Sequence, residues 1–154
     1  MASDPGRAPG VKVAPAFMRL TESEWQVVVG SCYDGYPEEA CGLFIGTMND
    51  GAPTGFVSEA RPCRNEAASS LVYRIDGRDQ LAAMRAAEQR GEEIVGCWHS
   101  HTHTEAFPSP TDVSQAAWYP DWLYVIVSLK DDAPVLRAYR VIDGDVHEVP
   151  VALM

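Results

Sequence analysis

His99-Ser100-His101 is followed, across a seven-residue gap, by Ser109 and, across two more residues, by Asp112. Two imidazoles and a carboxylate at this spacing can hold one zinc ion through three protein ligands. Three ligands leave the fourth tetrahedral position open to water, which separates a catalytic site from a closed structural one. A strand turns alternate residues to opposite faces, so His99 and His101 point the same way with Ser100 opposite. On its own, H-x-H is a weak sign of a metal. Ser109-Pro110-Thr111-Asp112 also reads as a helix start that needs no metal, with Ser109 at the N-cap, Pro110 at the first helical position and Asp112 at the third. The two readings are compatible, because a seven-residue loop can fold back and bring the Asp112 carboxylate to the strand end. His103 would complete a three-histidine set if the strand ran on, but Glu105, Pro108 and Pro110 interrupt the pattern. As a loop histidine it could still touch substrate. His147, beside Glu148, reads as a surface residue.

A hydrolase needs a base beside its metal. Glu38 and Glu39 stand directly before the apolar run Cys41 to Gly46. A carboxylate at the mouth of a strand, close to a cation, can take a proton from water and hand it to a leaving amine. The plainer reading is a solvated acidic pair at a turn.

The elements that must position these residues are legible as patterns. Thr21 with Glu24 forms a capping box ahead of a helix carrying Trp25, Val28, Val29 and Cys32, ended by Gly35-Tyr36-Pro37. Strands are expected over Cys41 to Gly46, Gly55 to Pro62 and Leu71 to Ile75. Asp76 caps a second helix over Gly77 to Arg90, with Leu81, Met84 and Ala87 along one side and Gly91 at its end. A central strand, Glu93 to His101, carries the histidines, and a third helix starts at Ser109-Pro110. Further strands follow over Trp122 to Leu129, Val135 to Val141 and Val146 to Val149, with Asp143-Gly144 a hairpin turn. Helices mixed with mostly consecutive strands imply an α/β (α+β) domain: one mixed sheet flanked by about three helices. Trp118-Tyr119-Pro120-Asp121-Trp122 reads as core at a helix–strand junction, with a substrate groove as the alternative.

At 154 residues the chain fits a single domain. Its net charge of −10 gives no basic patch for nucleic acid. Residues 1–17, with three prolines and two glycines, read as a flexible tail before a domain over 18–154. No secretory signal and no membrane span is expected, which suggests a cytoplasmic protein. Cys32, Cys41, Cys63 and Cys97 form no C-x-x-C pair and read as reduced structural residues.

Together, Glu39, His99-Ser100-His101, Ser109 and Asp112 resemble the pattern of the JAMM/MPN+ zinc metallopeptidases: an upstream glutamate, then H-[ST]-H, seven residues, S, two residues, D. The resemblance spans about residues 18–150, with the spacing intact. Glu39-Ala40-Cys41-Gly42-Leu43 is similar to the segment that carries the family's glutamate, which favours Glu39 over Glu38. The stretch from His99 to Val113 is most similar to small actinobacterial hydrolases that release cysteine from the C-terminus of a ubiquitin-like (β-grasp) sulfur carrier protein. The resemblance implies one zinc held by His99, His101 and Asp112, Glu39 as general base and then acid, and Ser109 as an oxyanion donor rather than a nucleophile. It implies a zinc peptidase of cysteine biosynthesis with the carrier conjugate as partner. An isopeptidase acting on another conjugate, or a non-catalytic scaffold of the same fold, are the alternatives. Homodimerisation stays open.

Overall fold

The computed structural model describes residues 15–154. Of the expected tail, residues 1–14 lie outside the described residues.

Eight strands and three helices follow in the order β1 (Met18–Leu20), α1 (Glu22–Gly35), β2 (Cys41–Asn49), β3 (Ala52–Cys63), α2 (Gly77–Gln89), β4 (Glu93–His101), α3 (Pro110–Ala116), β5 (Leu123–Ser128), β6 (Val135–Ile142), β7 (Asp145–Val149) and β8 (Val151–Leu153). All strands join one mixed sheet in the order β7-β6-β5-β4-β2-β3-β1-β8, as expected for a single α+β domain. Tight turns set the antiparallel pairs. Asp143 and Gly144 both take positive φ between β6 and β7, and Asp50 and Gly51 do the same between β2 and β3. Two consecutive left-handed residues match the twist of a two-residue hairpin.

Each face of the sheet is covered by helix. On one, Val28, Val29 and Cys32 of α1 pack against Phe44, Trp98, Val125 and Ala138. Thr21 caps this helix through the reciprocal box with Glu24. On the other face, Ala83 of α2 and Ala116 of α3 meet Leu43, Cys97, Tyr124 and Val141. Here the structure corrects the expected face of α2. Ala83 and Ala87 are buried, whereas Leu81 and Met84 are 47% and 44% exposed. The small side chains form the contact row, spaced one helical turn apart.

Strand β4 lies at the centre, antiparallel to β2 and parallel to β5. A parallel neighbour requires a crossover, and α3 is that crossover. Its first turn is therefore delivered to the carboxyl end of β4, where His101 ends the strand.

Gly42 faces Trp98 across the β2–β4 ladder. A Cβ at Gly42 would overlap both the indole ring and the Arg61 carbonyl oxygen. Trp98 is wholly buried against Phe44, with ring centroids 4.9 Å apart. Gly42→Ala should therefore destabilise the protein by about 1–3 kcal/mol through overpacking, read as a lower midpoint in urea unfolding.

The expected strand over Leu71 to Ile75 is absent. Only an isolated bridge joins Asn65 to Ile75, and Leu71 is 84% exposed. The Asn65 side chain takes the groups a strand partner would use: its amide donates to the Val72 carbonyl and its oxygen accepts from the Arg74 N–H. The ends of the chain add two short strands that periodicity does not reveal, with β1 and β8 pairing in parallel.

Candidate metal centre

The period-two argument for His99 and His101 holds, since both belong to β4 and both rings are buried. Their Nε2 atoms lie 3.1 Å apart. Asp112 Oδ2 is 3.1 Å from the first and 3.0 Å from the second. Three ligands on a tetrahedral zinc with bonds of about 2.0–2.1 Å stand about 3.3–3.4 Å from one another. The observed triangle needs to open by only a few tenths of an ångström.

The chemistry of the donors fits a cation as well. His101 Nδ1 lies 2.8 Å from the Glu105 carbonyl oxygen. A proton held on Nδ1 by that carbonyl leaves the Nε2 lone pair of a neutral ring aimed at a carboxylate oxygen. For a neutral ring such an arrangement is repulsive unless a proton or a metal ion lies between the two, and an outer carbonyl commonly orients a ligand histidine in this way. Burial lowers the pKa of His99, which favours the neutral ligand form, against the hydrogen bond that the ring can donate to Asp112. For His101 burial acts the same way but is outweighed by Asp112 and by the Glu105 carbonyl, so its pKa is raised. Burial opposes the charge on Asp112 too, yet His101, His99 and the Ser109 N–H hold its carboxyl well below the usual range.

Asp112 reaches the strand end because it is the third residue of α3. Ser109 Oγ accepts the Asp112 N–H at 3.1 Å, and Asp112 Oδ2 accepts the Ser109 N–H at 2.9 Å. The capping box expected from the sequence and the approach to the histidines are thus one arrangement. Because Ser109 Oγ serves here as acceptor, its hydroxyl proton is left to donate elsewhere.

Glu38 is exposed, whereas Glu39 is 5% exposed and feels the charges of His101 and Asp112. Burial pushes the Glu39 carboxyl up to about 7; His101 pulls it down and Asp112 adds to the rise. Its backbone belongs to no helix or strand. The Glu39 N–H donates to the Ser69 carbonyl at 2.7 Å, and its carbonyl accepts from the Asn65 side chain at 2.9 Å. The next residue, Ala40, donates its N–H to Ser100 Oγ at 2.8 Å and accepts the Ser100 N–H at 3.0 Å. The residue between the two histidines therefore ties the Glu39 segment to β4. The same 65–75 loop sends Tyr73 onto His99, the rings stacked with centroids 4.2 Å apart.

Asn65 is the residue the sequence did not single out. Its amide donates to the Glu39 and Val72 carbonyls, and its oxygen accepts from the Ala67 and Arg74 N–H groups. Asn65→Ala should lower kcat at least about tenfold by releasing the Glu39 backbone, given how steeply rate depends on placement. Metal content should stay at the wild-type level; both are read on the same purified sample.

The remaining candidates lie apart. His103 is exposed, 2.8 Å from Thr102 Oγ1 through Nδ1, and outside the ligand triangle. Among the described residues, His99, His101 and Asp112 form the group of His, Cys, Asp or Glu side chains gathered closely enough for a metal. His147 is exposed, as expected. The core reading of Trp118 is corrected: it is 81% exposed, while Tyr119 stacks on Trp122 at 3.9 Å. The four cysteines are free thiols.

Two clefts touch these candidate residues. One, of about 690 Å³, runs past Glu39, Ala40, Asn65 and the α1 face. The other, of about 430 Å³, is lined by His101, His103, Ser109 and Lys130 among others.

Comparison with known proteins points to one family. The family described as prokaryotic homologs of the JAB domain matches residues 21–142. The chain is 43% identical over 117 residues to the CysO-cysteine peptidase of Mycobacterium tuberculosis, covering 75% of this chain and 77% of that one. It is 37% identical over 93 residues to the desampylase of Haloferax volcanii, covering 60% and 63%. Among solved structures, a Desulfitobacterium hafniense protein superposes with a TM-score of 0.78 at 28% identity, covering 90% of this chain and 93% of its own. A JAB1/MPN domain protein from Archaeoglobus fulgidus shares the fold, with a TM-score of 0.56 at 17% identity over 88% of this chain and 99% of its own. From residues, site and matches alike, the chain belongs to the prokaryotic JAB/MPN domain family.

Proposed function

We propose that this protein is a zinc peptidase that hydrolyses the amide at the C-terminus of a ubiquitin-like sulfur carrier protein, releasing cysteine. The observation that carries the reading is the His99, His101 and Asp112 triangle with the buried Glu39 held beside it. The name of the mycobacterial relative supports cysteine as the released group. The desampylase of Haloferax volcanii and the probable TtuB-protein conjugate cleaving protease of Thermus thermophilus support a protein-conjugate substrate more broadly.

His99, His101 and Asp112 would hold the ion. A zinc ion there supplies a Lewis acid that polarises the scissile carbonyl and acidifies the attacking water. Glu39, buried beside the triangle, accepts the proton of that water and passes it to the departing amine. The Ser109 hydroxyl donates to the carbonyl oxygen as negative charge gathers on it. Free thiols throughout the described residues suit the reducing cytoplasm. No helix among the described residues is long and apolar enough to cross a membrane.

The test is incubation with carrier–cysteine and carrier–lysine conjugates, with and without chelator, read by mass spectrometry. Chelator-sensitive release of cysteine is expected. Cleavage of the lysine conjugate alone would replace the substrate with an isopeptide, and cleavage of neither would overturn the peptidase reading.

A further inference from the structure

We infer that Lys130 forms a carboxylate subsite for the departing amino acid, so that the enzyme favours a leaving residue whose α-carboxylate is free. The inference rests on the peptidase reading above and adds the direction in which the substrate lies.

Position comes from the sheet. Strands β4 and β5 are parallel, and His101 pairs with Ser128 at their shared carboxyl end. One residue further, the Leu129 N–H donates to the His101 carbonyl at 2.9 Å. Lys130 follows immediately, so it is fixed at the end of the strand beside a proposed metal ligand. Its own N–H lies 3.3 Å from Ser128 Oγ. The carboxyl ends of parallel strands are where such sheets bind ligands. The Lys130 side chain lines the cleft that also contains His101 and Ser109.

Charge selects the occupant. Lys130 is the only lysine among the described residues of a chain whose net charge is −10. Its ion-pair partner, Glu105 Oε1, stands 3.8 Å away on a side chain that is 81% exposed. An ion pair this open is held weakly and yields readily to a better-placed carboxylate. The larger cleft, which reaches Glu39 but none of His99, His101 and Asp112, is lined by Asp34, Glu38, Glu39 and Glu66 against Arg64. A free carboxylate is repelled there and attracted to Lys130. The departing residue, with its free carboxylate, therefore lies in the smaller cleft beside Lys130. A lysine isopeptide places no α-carboxylate next to the cut bond and gains nothing from Lys130.

Two peptides ending Gly-Gly-Cys, one with a free carboxylate and one with a C-terminal carboxamide, are cleaved by the zinc-loaded full chain and followed by mass spectrometry. Wild type should prefer the free acid in kcat/KM by roughly 10- to 100-fold, the range of a charge-assisted hydrogen bond. Lys130→Gln should bring the ratio of the two toward one, chiefly through KM, and Lys130→Arg should keep most of it. A thermal melt of each variant separates this from misfolding. No preference in wild type, or an equal loss on both peptides in Lys130→Gln, would overturn the subsite. If wild type with zinc cleaves neither these peptides nor the carrier conjugates, the peptidase reading itself fails and the subsite with it.

Discussion

Glu39→Gln should abolish hydrolysis while making the metal-free protein more stable. The loss in kcat is expected at about 10²–10⁴-fold, the usual contribution of a placed general acid–base. Glutamine is nearly the shape of a protonated glutamate, so the ligand triangle and one metal per chain should remain. Stability moves the other way because burial raises this carboxyl to about 7 from its ordinary value of 4.5. A carboxyl with a raised folded pKa binds more protons folded than unfolded between those values. Wild-type stability is therefore lost progressively as pH rises from about 4.5 to about 7, and levels off above that. The accumulated penalty is on the order of 3 kcal/mol, and the glutamine variant does not carry it. In urea unfolding of the metal-free proteins, the two should nearly coincide at pH 4.5 and the variant should lead at pH 8. Coincidence at both pH values would contradict the buried carboxyl.

Asp112→Ala should cost both metal and helix. Its carboxylate meets both histidines and accepts the Ser109 N–H. Removing it leaves two protein ligands, and zinc occupancy should fall far enough to take activity to background. It also opens half of the capping box of α3, which is worth about 0.5–2 kcal/mol. The pH signature differs from that of Glu39. Asp112 is held well below the ordinary carboxylate range, so its contribution is present above the unfolded value and is lost as pH falls through the folded one. The stability gap between wild type and Asp112→Ala should therefore be widest near neutral pH and narrow under strong acid. Asp112→Asn is the useful companion. Its amide still offers an oxygen to the Ser109 N–H, so it should recover part of the stability while leaving metal binding impaired.

What could be read beforehand divides along local and distant partners. His99 and His101 were legible because strand periodicity alone aims them to one side. Asp112 was legible twice over, as the third residue of a capped helix and as the carboxylate at the right distance in sequence. Asn65 carried no such mark. Its partner Glu39 lies 26 residues away in sequence, and a lone asparagine before a loop is ordinary turn chemistry. The apolar run from Leu71 to Ile75 has strand composition, but Asn65 occupies the backbone groups that pairing would need. On α2 the large residues suggested one face and the sheet took the alanines, because close approach to Leu43 and Cys97 favours small side chains. Strands β1 and β8 come from opposite ends of the chain, and three residues each are too few to show a period.

The most direct test of the account is zinc stoichiometry by native mass spectrometry on wild type, His99→Ala, Asp112→Ala and Glu39→Gln. One zinc per chain is expected in wild type and in Glu39→Gln, and loss of zinc in the other two. Wild type that takes up no zinc, or ligand variants that keep it fully, would contradict the metal centre.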